Sequence, residues 1–199
     1  MDQDSTFWAH ETACIDDAAG VGEGTRIWHF SHIVKGAVVG KHCSIGQNVF
    51  IGAGAVVGNG VKIQNNVSVY DGVTLEDSVF CGPSMVFTNV INPRSHIPRK
   101  HELRKTIVRE GATMGANATI LCGLTIGRFA FIGAGAVVTR DVPDFALITG
   151  NPGRQQGWLC RCGIKLKLPV RAGQRRVSCV ACGTEYRWWG TRLIEVQGT

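Results

Sequence analysis

Apolar side chains return along this chain every six residues. Stepping from Ile15 gives Val21, Ile27, Ile33, Val39, Ile45, Ile51, Val57, Ile63, Val69, Leu75, Cys81 and Phe87, thirteen positions and all apolar. In a chain that is 44% apolar, chance gives such a run at a fixed phase about once in 40,000 trials. The period resumes at Val108, Met114, Ile120, Ile126, Ile132 and Val138. Two residues before the apolar site stands a small or β-branched residue, such as Ala19, Thr25, Ser31, Ala37, Val67 or Val73. Glycine follows the apolar site at 22, 40, 46, 52, 58 and 82.

Six matches neither the helical repeat nor the simple alternation of a strand. It fits a short strand and a tight turn wound repeatedly into a prism. One aliphatic side chain per hexad fills the axis, the small residue sits near a corner, and glycine supplies turn conformations closed to other residues. Nineteen hexads at three per coil predict about six coils, roughly 30 Å tall at ~4.8 Å per stacked strand. A sandwich of short strands would not hold one phase for thirteen steps. The expected fold is therefore all-β, a parallel β-helix, and the general rule for parallel crossovers would make it right-handed.

The period breaks once. Phe87 and Val108 are 21 residues apart, three hexads plus three, so the chain leaves the prism and returns half a hexad out of phase. The excursion, residues 88–106, carries Arg94, Arg99, Lys100, Arg104 and Lys105 against a single acid, Glu102, with His96 and His101 beside them. A basic loop on a rigid scaffold suits an anionic ligand such as a nucleotide diphosphate, a carboxylate or coenzyme A.

Composition divides the chain. Residues 1–150 hold 12 basic and 13 acidic side chains, whereas 151–199 hold 9 and 2. The boundary falls at the Gly-Asn-Pro-Gly of 150–153, giving an N-terminal cap (1–14), a β-helix (15–150) and a basic C-terminal domain (151–199). Within the last, Cys160-Arg-Cys162-Gly and Cys179-Val-Ala-Cys182-Gly are spaced as a four-cysteine zinc ribbon, with structural Zn2+ on Cys160, Cys162, Cys179 and Cys182. Trp158, Trp188 and Trp189 are expected to pack on the last coil. Cys14, Cys43, Cys81 and Cys122 are expected to be buried as small apolar residues. Residues 1–20 show no basic-plus-apolar leader and no apolar run reaches 18 residues, so a soluble cytoplasmic protein without a membrane partner is expected.

The hexads resemble those of the hexapeptide-repeat acyltransferases. That resemblance implies a left-handed β-helix, acetyl-CoA as co-substrate, and a homotrimer with active sites between neighbouring prisms. The run Met85-Val-Phe-Thr-Asn89-Val-Ile-Asn92-Pro-Arg94 is similar to the signature of the nucleotide-sugar 3-amino N-acetyltransferases. So are Ile27-Trp28-His29-Phe-Ser-His32-Ile33, Gly115-Ala-Asn-Ala-Thr-Ile120, Ile132-Gly133-Ala134-Gly135 and Gly150-Asn-Pro152. The Asn-Pro-Arg ending implies the branch acting on UDP-2-acetamido-3-amino-2,3-dideoxy-glucuronic acid for surface polysaccharide. The alternative is a dTDP-linked 3-amino-deoxysugar. Under this resemblance Asn89 orients the attacking amine, with His96 or His101 as an alternative base. Arg94 takes the sugar carboxylate as a guanidinium fork, and Asn92, Trp28, His29 and His32 belong to the substrate site. Gly115, Gly133, Ala134 and Gly135 border the pantetheine arm, and Pro152 and Arg154 its nucleotide end.

Two rival readings stand beside this one. His96 and His101 have a spacing reminiscent of a β-helical zinc carbonic anhydrase, but they lie in an off-phase loop, and the coil position expected for a third histidine is Tyr70. Arg171, Arg175, Arg176, Arg187 and Arg192, near Trp188 and Trp189, have the composition of a nucleic-acid surface.

Overall fold

A computed structural model describes residues 6–168, 174–189 and 191–196, with Gln174 and Arg175 described by backbone alone. The hexads form three parallel sheets, which are the faces of a prism. The first face runs from Trp8–Ala9 through Arg26–Ile27, Ser44–Ile45, Lys62–Ile63, Phe80–Cys81, Thr113–Met114 and Phe131–Ile132 to Ala146–Thr149. The second comprises Cys14–Ile15, His32–Ile33, Phe50–Ile51, Ser68–Val69, Val86–Phe87, Thr119–Ile120 and Val137–Val138. The third runs from Gly20–Val21 to Thr125–Ile126. Neighbouring rungs are eighteen residues apart, as in Ser44↔Lys62 and Phe50↔Ser68. The fold is a left-handed parallel β-helix. The rule for crossovers rests on twisted strands returning through a helix packed on the sheet, whereas these two-residue strands return through the other two faces of the prism.

The prism has seven coils rather than about six. Its ladder starts at Trp8, which pairs with Arg26, because Ala9 already occupies the axial phase one hexad before Ile15. Residues 8–14 thus form the first rungs. Axial positions from Ile27 to Val138 are almost wholly buried.

Glycine has a different role from the one expected. The residue three places after the axial one adopts positive φ in coil after coil: Ala18 at 64°, Phe30 at 56°, Asn48 at 55°, Ser84 at 57°, Asn117 at 55°, with glycines at 24, 36, 54 and 60 among them. The glycines directly after the axial residue are selected instead by crowding. A Cβ on Gly40 would lie 2.6 Å from the Gly58 oxygen, and one on Gly115 would lie 2.5 Å from the Ala134 nitrogen. At these positions the next coil stacks too closely for a side chain.

The excursion stretches one coil from 18 to 33 residues, since Val73 pairs with Thr106 and Phe80 with Thr113. The Arg104 amide donates to the Asn89 carbonyl at 3.1 Å, and the Thr106 amide donates to that of Gly72 at 3.0 Å. The loop is therefore closed at its base and the register resumes intact.

At the far end, Arg154–Trp158 pairs antiparallel with Ala146–Thr149, so the compositional boundary is a hairpin within one sheet. A three-stranded antiparallel sheet follows: Gln174–Ser178, Glu185–Trp189 and Arg192–Glu195. Tyr186 is fully buried and meets Phe145 edge-on at 5.3 Å, and Phe145 stacks on Phe129. Trp158 and Trp188 are buried, but Trp189 is 41% exposed. Strand alternation turns Tyr186 and Trp188 inward and Trp189 outward, which corrects the expectation for Trp189. Cys43, Cys81 and Cys122 are buried as expected. Cys14 is exposed, because it precedes the axial Ile15 and so faces outward.

Candidate functional site

The foot of the excursion encloses a cleft of about 470 Å³ lined by Tyr70, Phe87, Thr88, Asn89, Val90, Ile91, Pro93 and Leu121. Its position follows from the repeat. Thr88 stands at the corner after the second face, Tyr70 occupies the same corner one coil below, and Leu121 the same corner one coil above. The Thr88 hydroxyl accepts the Cys122 amide at 2.9 Å and is thereby committed to the scaffold. Among the described residues, the Asn89 side-chain amide and the Tyr70 hydroxyl have no hydrogen-bond partner. The other walls are apolar, and no carboxylate, imidazole or lysine lines this cleft.

The remaining loop candidates stand outside it. Asn92, Arg94, His96 and His101 are exposed. The Arg94 guanidinium donates to the Pro93 carbonyl at 3.0 Å. Glu102 accepts Arg99 at 2.7 Å and lies 3.7 Å from His101, so the loop's one acid neutralises part of its charge. His96 and His101 do not converge on a metal-binding group. Among the described residues such groups are the four ribbon cysteines and a Cys14–Asp16–His32 set in which Cys14 is exposed and the other two are partly buried.

The early-coil candidates lie lower on the prism. Trp28 is half-exposed at the corner between first and second faces, 5.1 Å from the Trp8 ring, and the His29 ring stacks on His10 at 3.5 Å. His32 faces outward from the second face and sits 2.9 Å from Asp16. The Lys35 amide, then His32, hold the Asp16 carboxyl below its usual range. His32, Phe50, Ser68 and Val86 are successive partners. Three rungs therefore separate His32 from the foot of the loop, roughly 14 Å at ~4.8 Å each. His32, Phe50 and Tyr70 form a chain of ring contacts along that path, 5.9 and 6.3 Å apart.

The glycine candidates do come together. Gly115 lies below Gly133 at one corner, where the Gly115 amide donates to Ile132 and the Gly135 amide to Ala116. Ala134 and Gly135 are exposed, and a Cβ on Gly135 would meet nothing within 4 Å. The turn carrying Pro152 folds back to the same place, the Gly153 amide donating to Val137 at 2.7 Å, with exposed Arg154 beside it. This narrow, small-residue corner fits an extended chain such as a pantetheine arm. It is separated from Asn89 by the upper second face, whose outward residues are Val86, Thr119 and Val137.

The ribbon cysteines converge, with all four sulfurs within 4.8 Å of one another. Cys160 lies 3.4 Å from Cys182, and Cys162 lies 3.6 Å from Cys179. A tetrahedron with metal–sulfur bonds of about 2.3 Å has sulfur–sulfur edges of about 3.8 Å, so the donor set fits zinc. Gly163 and Gly183, at φ 89° and 74°, let their amides turn back to the Cys160 and Cys179 carbonyls at 2.8 and 2.9 Å. Tyr186 ties this site to the prism, its hydroxyl 3.1 Å from the Cys160 sulfur and accepting the Arg161 amide. Arg176, Arg187, Arg192 and Trp189 are exposed on the ribbon sheet, whereas Arg171 and the Arg175 side chain lie outside the described residues.

Tyr70, Phe50 and Leu121 were not singled out as site residues from the sequence. The available signal was the eighteen-residue step, which puts Tyr70 directly beneath Thr88.

Residues 18–53 and 42–77 match the bacterial transferase hexapeptide (six repeats) family, and 106–140 match the hexapeptide repeat of succinyl-transferase. The dTDP-3-amino-3,6-dideoxy-alpha-D-galactopyranose 3-N-acetyltransferase of Aneurinibacillus thermoaerophilus is 46% identical over 183 residues, 92% of each chain. A 2,3,4,5-tetrahydropyridine-2,6-dicarboxylate N-acetyltransferase of Staphylococcus aureus is 38% identical over 77 residues, 39% of this chain and 29% of that one. Among solved structures, a mutant of GDP-perosamine N-acetyl transferase from Caulobacter crescentus, in complex with CoA and GDP-perosamine, superposes with a TM-score of 0.51 at 25% identity. It covers 74% of this chain and 55% of that one. A galactoside acetyltransferase in complex with coenzyme A shares the fold at a TM-score of 0.54 and 24% identity, covering 65% of this chain and 66% of that one.

Proposed function

This chain belongs to the hexapeptide-repeat N-acetyltransferases, and on that premise we propose that it transfers acetyl from acetyl-CoA to the 3-amino group of a dTDP-linked 3-amino-deoxysugar. The observation that carries this reading is the cleft at the foot of the excursion: apolar walls, with an uncommitted amide and an uncommitted phenol. The extensive similarity to a dTDP-3-amino-3,6-dideoxyhexose transferase supports it.

The chemistry joins an amine nitrogen to a thioester carbonyl carbon and expels a thiolate. It needs the neutral amine held at the carbonyl with its lone pair forward. The Asn89 side-chain carbonyl can accept one amine hydrogen and turn the lone pair toward the thioester. With no basic group lining the cleft, the second proton passes to the departing thiolate or to water. The open corner at Gly115, Gly133 and Gly135, with Pro152 and Arg154 above it, is where acetyl-CoA would run. Its thioester would cross the short upper second face to reach the amine.

The identity of the sugar's sixth carbon decides between substrates. Val90, Ile91, Pro93 and Leu121 offer a methyl group contacts of its own kind. A carboxylate there would lose water without gaining a cation, since Arg94 is exposed and turned onto Pro93. A 6-deoxysugar is therefore favoured over the uronate implied by the Asn-Pro-Arg ending. The diphosphate and base would extend down the second face along Tyr70 and Phe50 toward His32. Exposed Ile91, Ile97 and Leu103 on the excursion, with exposed Val86 on the second face, give a neighbouring prism apolar surface to cover, in keeping with a homotrimer whose sites lie between subunits. The four ribbon cysteines would hold a structural zinc ion with no part in the transfer.

The test is thiol release from acetyl-CoA with matched dTDP- and UDP-linked 3-amino sugars, each with a C6 methyl or carboxylate. The expected result is fastest turnover of the dTDP-linked 6-deoxysugar. Preferential turnover of the uronate, or none of any 3-amino sugar, refutes the proposal.

A further inference from the structure

We propose that Tyr70 determines which group the enzyme accepts at the sugar's second carbon, selecting hydroxyl and excluding acetamido. The inference rests on the reading above, in which the amine on the third carbon meets Asn89 and the nucleotide descends the second face.

The geometry follows from the stacking of coils. Tyr70 lies one rung below Thr88, on the side toward His32, and its ring lines the same cleft as Asn89. A pyranose held with its third carbon at Asn89 and its anomeric carbon pointing down the face places its second carbon between the two, over Tyr70. Phe50 backs the Tyr70 ring from the rung below, at 6.3 Å between centroids, and the Tyr70 carbonyl accepts the Val73 amide at 3.1 Å. The side chain is thus supported from beneath, while its hydroxyl has no hydrogen-bond partner among the described residues.

Two consequences follow from a supported phenol at that place. A hydroxyl on the second carbon can exchange a hydrogen bond with it, and a polar substrate group that finds its partner is discriminated from an analogue lacking one. An acetamido group is larger by several heavy atoms and must displace the ring, which the tilted Phe50 ring beneath it opposes. Sequence similarity to an enzyme whose substrate has the 3,6-dideoxy pattern is consistent with a hydroxyl at the second carbon.

The experiment compares three dTDP-linked 3-amino-3,6-dideoxyhexoses that differ at the second carbon, carrying hydroxyl, hydrogen or acetamido. Each is assayed by thiol release with the wild type, Tyr70→Phe and Tyr70→Ala. The wild type should prefer the hydroxyl sugar. Tyr70→Phe should lose about tenfold in kcat/KM on that sugar and little on the 2-deoxy one, as expected for one hydrogen bond. Tyr70→Ala should raise the acetamido-to-hydroxyl ratio of kcat/KM by tenfold or more, because the obstructing ring is gone. KM for acetyl-CoA should stay constant throughout. If Tyr70→Phe lowers turnover of the hydroxyl and 2-deoxy sugars equally, or Tyr70→Ala leaves the acetamido ratio unchanged, Tyr70 is a scaffold residue and this inference falls alone. If the wild type releases no thiol with any of the three, the parent reading falls and takes this one with it.

Discussion

Asn89 is surrounded by groups that cannot substitute for it. Its neighbour Thr88 is held by the Cys122 amide, and the adjoining walls are apolar. Asn89→Ala should therefore lower kcat by one to three orders of magnitude, at about 1.4 kcal/mol per tenfold. The KM for acetyl-CoA should hardly move, because Gly115 and Gly133 stand at another corner. Arg94→Ala tests the opposite expectation: less than about a threefold change in kcat/KM on a 6-deoxysugar, since the guanidinium is outside the cleft. A large loss there would put a carboxylate or phosphate on Arg94. Asn89 and the four cysteines were legible because motif and spacing mark them. Tyr70 was not, because nothing in its own hexad distinguishes a tyrosine beneath an active site from any other residue after an axial valine. What it does depends on the residue eighteen places later.

At the scale of the rung, two classes of glycine that look alike in sequence make opposite predictions. Gly115→Ala inserts a methyl 2.5 Å from the Ala134 nitrogen, an overpacking that costs about 1–3 kcal/mol and should appear as a lower midpoint in denaturant. Ser84→Gly should do the reverse. Ser84 is held at φ 57°, where a side chain costs about 1–2 kcal/mol, partly offset by the greater freedom of unfolded glycine. The net expectation is a gain of a few tenths to about 1 kcal/mol, read from the same denaturation curves. Equal effects of the two substitutions would undo this account of the corners. The hexads were plain in the sequence because one apolar side chain per strand must fill a narrow axis. The job of each glycine was not, since close approach and positive φ leave the same letter.

For the whole molecule, the ribbon closes one end of the prism through Tyr186, Phe145 and Phe129. Stripping metal with a strong chelator, or making Cys179→Ser, should release about one zinc per chain by elemental analysis and lower the thermal midpoint of the C-terminal cap. Acetyl transfer by the remaining folded protein should persist. Metal-replete protein without zinc would contradict the assignment of the four cysteines. Light scattering should give three chains per particle at micromolar concentration, and a monomer would remove the partner that the apolar loop surface calls for. The eighteen-residue register also bears on how the chain reaches this shape. Outside the excursion the rungs join segments at nearly the same short separation, so assembly can start on any coil and advance like a zip. The excursion alone lengthens the span to be closed, from 18 to 33 residues, an added loop entropy of about 0.5 kcal/mol. That increment is too small to divide the molecule. The cleft should order in step with the coils on either side, so hydrogen exchange would find the rungs above and below residues 88–106 opening together.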